Sequence, residues 1–183
     1  MSSEDKGVVV WMTGLSGAGK TTISTRLREI LVEEYGRRVE VMDGDEIRKG
    51  LSADLGFSKE DRSTHAQRVQ FVSKLLSRNG VIVLVALISP YAEFRQRVRE
   101  DIEDFIEVFV DTPLETCIER DPKGLYKKAL AGEIKDMTGL DDPYEPPTDP
   151  ELVVKTEECD VEGAARQIIE ELERRGYLNG TSV

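Results

Sequence analysis

Residues Gly14-Leu15-Ser16-Gly17-Ala18-Gly19-Lys20-Thr21 fit the pattern G-x-x-x-x-G-K-[ST] and follow the apolar run Val8-Val9-Val10-Trp11-Met12. A buried strand that ends in such a loop and opens into a helix is an arrangement that cradles phosphates. The glycines let backbone N–H groups turn onto phosphate oxygens. Lys20 reaches the β and γ phosphates, and Thr21 offers a hydroxyl to Mg²⁺ at a helix N-terminus. Gly14 through Thr22 therefore read as the site of a nucleoside triphosphate such as ATP. An ordinary Gly-rich turn requires neither Lys-Thr at its end nor a buried strand before it.

Around this loop, strand and helix alternate. Thr21 to Glu34 carries Ile23, Leu27, Ile30 and Leu31 at helical spacing, with Gly36 suited to the left-handed cap. Val39 to Met42 reads as a second strand that delivers Asp43-Gly44-Asp45 at its end. Ser58 is an N-cap for a long helix with the stripe Val69, Val72, Leu75 and Leu76, closed by Asn79-Gly80. Val81 to Leu87 and Ile106 to Val110 are further strands. Thr112-Pro113-Leu114-Glu115 starts a helix with Pro at its first position and a capping-box Glu. Leu152 to Val154 is a short fifth strand, and Val161 to Arg175 a closing amphipathic helix. Strands buried on both faces and alternating with helices predict a three-layer α/β/α P-loop NTPase architecture, with a mostly parallel five-stranded sheet.

The 183 residues suit one domain. No apolar run approaches the roughly 20 residues that span a bilayer, and Met1-Ser2-Ser3-Glu4-Asp5-Lys6 lacks the basic-then-apolar order of a leader, so a cytoplasmic protein without a membrane partner is expected. Cys117 and Cys159 have no metal or C-x-x-C spacing and read as reduced thiols. A net charge of −11 argues against nucleic acid. An anionic small ligand then requires local cations. The stretch from Arg120 to Pro150 carries Lys123, Lys127, Lys128 and Lys135 with little apolar periodicity, and so large an interval without regular structure beside a phosphate site reads as a mobile lid.

Taken in order, the phosphate loop, Asp43-Gly44-Asp45, Asp54-Leu55-Gly56-Phe57-Ser58 with Asp61-Arg62, Ile88-Ser89-Pro90-Tyr91, Arg120 to Ala129 and Thr138-Gly139-Leu140-Asp141-Asp142-Pro143-Tyr144-Glu145 resemble the adenylylsulfate (APS) kinase family. The likeness runs from Val8 to Val154. It implies transfer of the γ-phosphoryl of ATP to the 3′-hydroxyl of adenosine 5′-phosphosulfate, with Mg²⁺ as cofactor, ATP and APS as small-molecule partners, and a homodimer.

The residues also argue part of this chemistry. Phosphoryl transfer needs charge neutralisation, alignment and a group to take the acceptor's proton. Lys20 supplies the first. Asp43 and Asp45 leave a strand at the edge where doubly wound sheets bind ligands; one serves Mg²⁺ and the other the acceptor hydroxyl, in either order, although Asp-Gly-Asp is also a common turn. By resemblance, Arg48 and Arg62 hold the acceptor's anion and Phe57 stacks on its adenine, although a Phe is by habit a core residue. Ile88 and Ser89 leave the third strand. Ser89 matches a serine described in the family as a phosphorylated intermediate, yet nothing near it in sequence is an activating base, so a positioning hydroxyl is an equal reading. Lys123 would close over the phosphates, and Arg120 would pack on the donor base or pair with phosphate.

The chain departs from the family pattern in three places. His65-Ala66-Gln67-Arg68 stands where Asn-Ile-Arg-Arg is usual, so His65 replaces an amide at an acceptor contact and Gln67 loses a charge. Met137 replaces the Phe that forms the second slice of the adenine sandwich, and Leu87 replaces another Phe. A thioether still covers an aromatic face, more weakly.

Overall fold

The computed structural model describes residues 6–179, so Met1 to Asp5, on which the expectation of no leader rests, lie outside the described residues. The elements in chain order are β1 (Val8–Thr13), α1 (Lys20–Glu33), β2 (Val39–Asp43), α2 (Gly44–Lys49), α3 (Lys59–Ser77), β3 (Ile82–Ala86), α4 (Ala92–Asp101), β4 (Phe105–Asp111), α5 (Leu114–Arg120), α6 (Leu125–Leu130), β5 (Leu152–Lys155) and α7 (Val161–Arg174). One sheet in the order β2-β3-β1-β4-β5 holds all five strands, and every pairing is parallel.

Alternation along the strands sorts the core into two layers. Val8, Val10 and Met12 of β1 face one side with Ile82 and Leu84 of β3, where α1 and α7 cover them through Leu27, Ile30, Leu31, Ile168 and Leu172. Val9 and Trp11 face the other side with Val83 and Val85, under Val69 of α3 and Val98 of α4. These side chains are essentially inaccessible, and each contributes about 1.5–3 kcal/mol by leaving water. β1 is buried on both faces because it lies in the middle of the sheet, which is why its sequence is an unbroken apolar run.

Three local expectations change. α4 and the short α2 have no counterpart in the sequence pattern: Ala92–Asp101 shows only Phe94 and Val98 as apolar core contacts among charged neighbours, too sparse a stripe to read. Pro113 sits just outside α5, and Thr112 caps nothing, its hydroxyl donating to the Ala18 carbonyl at 3.0 Å. The long stretch from Arg120 to Pro150 is not without structure. Asp121 accepts from the backbone N–H groups of Tyr126 and Lys127 and starts α6, and Tyr126, Met137 and Thr138 are buried. A single six-residue helix is too short to announce itself by period. Cys117 is buried and Cys159 half-buried, both free thiols as their spacing implies.

Candidate active site

The C-terminal ends of β1, β2 and β3 open into a cleft of about 1460 Å³, larger than the roughly 300–1,000 Å³ that one small ligand needs. Its floor is the phosphate loop. A Cβ on Gly14 would come within 2.6 Å of the Val110 carbonyl oxygen, so the chain can pass β4 only without a side chain there. Gly19 precedes α1 at φ 106, in the left-handed region. Lys20 is buried and donates to the Gly14 and Leu15 carbonyls, both at 2.7 Å. Burial, followed by repulsion from Lys123, lowers its pKa to about 8. Gly14 and Leu15 lie behind the cleft wall, whereas Ser16, Gly17, Ala18, Gly19, Lys20, Thr21 and Thr22 line it.

Because α1 lies over β2 and β3, its first turn meets the end of β2. The Thr21 hydroxyl donates to Asp43 Oδ2 at 2.6 Å, and Asp43 Oδ1 accepts from the Asp45 backbone N–H at 2.9 Å, capping α2. Thr21 and Asp43 together offer hard oxygens of the kind Mg²⁺ takes, an ion that usually keeps waters and substrate phosphates as its remaining ligands. Among the described residues no group of three or more His, Cys, Asp or Glu side chains forms an all-protein metal cage. The Asp45 carboxylate instead pairs with the Lys123 ammonium across the cleft mouth.

A second set of groups lies toward α2 and α3. The Phe57 ring is 59% exposed, not core, and carries the Arg48 guanidinium at 4.6 Å and that of Arg62 at 5.7 Å from its centroid. Arg48 donates to the Gly56 carbonyl at 2.8 Å, and Arg62 donates to the carbonyls of Phe57 and Asp136 at 2.9 and 2.8 Å. Burial and the neighbouring Arg62 hold the Arg48 pKa below its ordinary value. His65, which residue type alone would leave on a helix surface, is 5% exposed, and neither ring nitrogen has a hydrogen-bond partner among the described residues. Burial and the charges of Arg48, Arg68 and Arg62 lower its pKa to about 4, so the imidazole is neutral near pH 7.

Ile88 and Ser89 leave β3 at the middle of the cleft. Ser89 is buried with φ 46, a sparsely populated conformation for a side-chain-bearing residue. Its hydroxyl accepts from the Trp11 indole N–H at 3.0 Å. No imidazole or carboxylate bonds to that hydroxyl among the described residues, which gives it no activating base. Arg120, at the end of α5, reaches the Gly17 carbonyl of the phosphate loop only at 3.5 Å. Tyr126 of α6 donates to the Ser16 carbonyl at 3.0 Å and so ties the Arg120–Pro150 stretch to the phosphate loop. Met137 lines the cleft but also belongs to the core, held by its N–H on Asp141 at 2.7 Å, and Leu87 packs just past β3 with Met42 and Val85.

Thr156, Cys159 and Val161 also line the cleft, and sequence reasoning missed them. The turn between a strand and a helix was the available signal, since parallel sheets place such turns at the ligand edge. The buried Arg95 and Glu107 were also missed: Arg95 lies in α4, which carries no legible stripe, and Glu107 is a charged residue inside the apolar strand β4 whose partner only the fold supplies.

Comparison with known proteins agrees with this geometry. The family model described as adenylylsulphate kinase matches residues 6–155. An adenylyl-sulfate kinase from Rippkaea orientalis is 55% identical over 175 residues, covering 96% of each chain. The structure of a Mycobacterium tuberculosis APS kinase in complex with AMPPNP and APS is 46% identical, covers 92% of this chain and 98% of that one, and superposes with a TM-score of 0.87. Shikimate kinase from Acinetobacter baumannii, at 19% identity and a TM-score of 0.57 over 93% and 96% of the two chains, shares the fold alone.

Proposed function

The chain belongs to the adenylylsulphate kinase family, and we propose that the residues of this one cleft carry out the family reaction, moving the γ-phosphoryl of ATP to the 3′-hydroxyl of adenosine 5′-phosphosulfate. The products are 3′-phosphoadenosine 5′-phosphosulfate and ADP, a step of sulfate assimilation. The carrying observation is that the phosphate cradle and the Arg48–Phe57–Arg62 set share one cleft with Asp43 and Asp45 between them.

Each residue has a role that follows from its contacts. Lys20 and the loop N–H groups neutralise the triphosphate, and Lys20 exchanges its two carbonyl partners for phosphate oxygens. Thr21 and Asp43 would hold Mg²⁺, which would offset charge on the triphosphate. Both oxygens of Asp43 already have partners, which supports giving the proton-accepting role to Asp45. Lys123 neutralises Asp45 until phosphate competes for the ammonium, so the lid and the base respond to the same anion. Arg48 and Arg62 grip the phosphosulfate oxygens as bidentate donors, and Phe57 stacks on the acceptor adenine against Met137. His65, being neutral, donates one hydrogen bond and accepts one, and thus reads an uncharged edge of the acceptor in place of an amide. The Ser89 hydroxyl, fixed by Trp11, orients the acceptor or the moving phosphoryl group, and transfer is direct. Arg120 covers the donor base with the Thr156 to Val161 wall.

One domain carries both half-sites. No helix of the described residues is long and apolar enough to cross a membrane, and a cytoplasmic enzyme is the location proposed. A homodimer, with no nucleic acid among its partners, is the assembly proposed, to be measured by light scattering. A coupled assay of ADP release tests the acceptor: ATP with APS turns over, and ATP with AMP or other nucleotides does not. Equal turnover with another nucleotide overturns the assignment.

A further inference from the structure

We infer that Arg95 is a positioning residue for phosphoryl transfer, acting through Ser89; the inference rests on the reading of Ser89 as a group that touches substrate. Arg95 is 4% exposed, and its fork is committed to three separate segments. Nε donates to Glu107 Oε1 on β4 at 2.8 Å, Nη1 to the Ser89 carbonyl at 2.5 Å, and Nη2 to the Glu145 carbonyl at 2.6 Å. Glu145 in turn donates its N–H to the Pro90 carbonyl at 2.8 Å and accepts from the Ala92 N–H at 2.7 Å. The turn Ser89-Pro90-Tyr91 is therefore clamped from below by a guanidinium and from the side by the foot of the lid.

That clamp has something to resist. Ser89 holds φ 46 without being glycine, a conformation that persists only where its surroundings over-determine it. The opposite side of the turn is fixed by Trp11, whose indole donates to Ser89 Oγ, and by Thr13, whose hydroxyl donates to the Ile88 carbonyl at 2.6 Å. Thr13 reaches the Ser89 carbonyl only at 3.4 Å, so the much shorter Arg95 bond sets the rotation of that peptide. Glu107, further tied to Arg99 at 3.2 Å, keeps the guanidinium in place. A buried arginine used solely for stability would have no need to bond a strained residue of the cleft wall.

The test uses the whole enzyme with Arg95→Lys, Ser89→Ala and the double variant. Arg95→Lys keeps the charge opposite Glu107 but cannot span all three acceptors. It should lower kcat roughly 10- to 100-fold, the scale of small misplacements, with ATP KM unchanged. In the Ser89→Ala background it should cost kcat nothing more. Trp11, the single tryptophan, reports the same event optically: Arg95→Lys should shift its emission in the direction that Ser89→Ala does. If Arg95→Lys fails to fold, the pair Arg95→Met with Glu107→Met, which leaves no lone charge between them, takes its place. Independent, multiplying losses in the double variant, or an unmoved Trp11 emission, would overturn the inference. The emission needs no acceptor, so an error in the acceptor assignment is read separately.

Discussion

His65 makes a quantitative demand on stability. Its pKa falls from the ordinary 6.5 to about 4 because the ring is buried and faces Arg48 of α2 and Arg62 and Arg68 of α3, while Gly44, between Asp43 and Asp45, and Leu87 close the other side. The folded pKa is depressed for a base, so between about pH 6.5 and 4 the unfolded chain holds a proton that the folded chain refuses. Stability is therefore lost as pH falls through that window and is unaffected above it. The full cost is about 3 kcal/mol, from a shift of about 2.5 pKa units. At about pH 5 about 2 kcal/mol of it has appeared. His65→Asn removes the titration and leaves the carboxylates, whose own acid response is common to both proteins, in place. Urea unfolding followed by the fluorescence of buried Trp11 gives both stabilities. The variant should gain about 2 kcal/mol on the parent between about pH 7 and pH 5. A gap constant to within about half a kcal/mol would mean that the imidazole ionises as freely folded as unfolded, and the account of its burial would fail.

Lys20→Ala should cost about 10²-fold or more in kcat with the fold intact, as expected of a group that compensates transition-state charge; retention of a tenth of the rate refutes the role. Because free Lys20 loses its proton as pH rises through about 8, kcat/KM for ATP should decline above that pH while kcat, which reports the phosphate-bound lysine, holds to higher pH. Asp45→Asn should depress kcat with little change in acceptor KM, and a normal kcat with weakened APS binding would move Asp45 into the acceptor pocket. Met137→Phe should lower acceptor KM and leave ATP KM nearly unchanged, since a base–aromatic stack is worth roughly 1–3 kcal/mol; a change confined to ATP would place Met137 in the donor pocket.

Local chemistry determined most of the donor half-site. The order of glycines, Lys20 and Thr21 after an apolar strand is sufficient to specify a phosphate cradle, because a backbone loop that must approach phosphate tolerates few other residues, and the strand–helix alternation fixed a parallel sheet by the burial it demands. The remainder depended on distance in space. Only the strand order β2-β3-β1 and the path of α1 across it set Asp43 against Thr21 and left Asp45 to Lys123, a division of labour that two identical side chains separated by one glycine cannot encode. Burial decided the rest: Phe57, a core residue by type, is held outward by two guanidiniums, and His65 is buried and unpartnered among three. The weight of Arg95 was illegible because its three acceptors lie on a strand exit, a strand and the loop that carries Glu145, which only the folded chain brings within the span of one guanidinium.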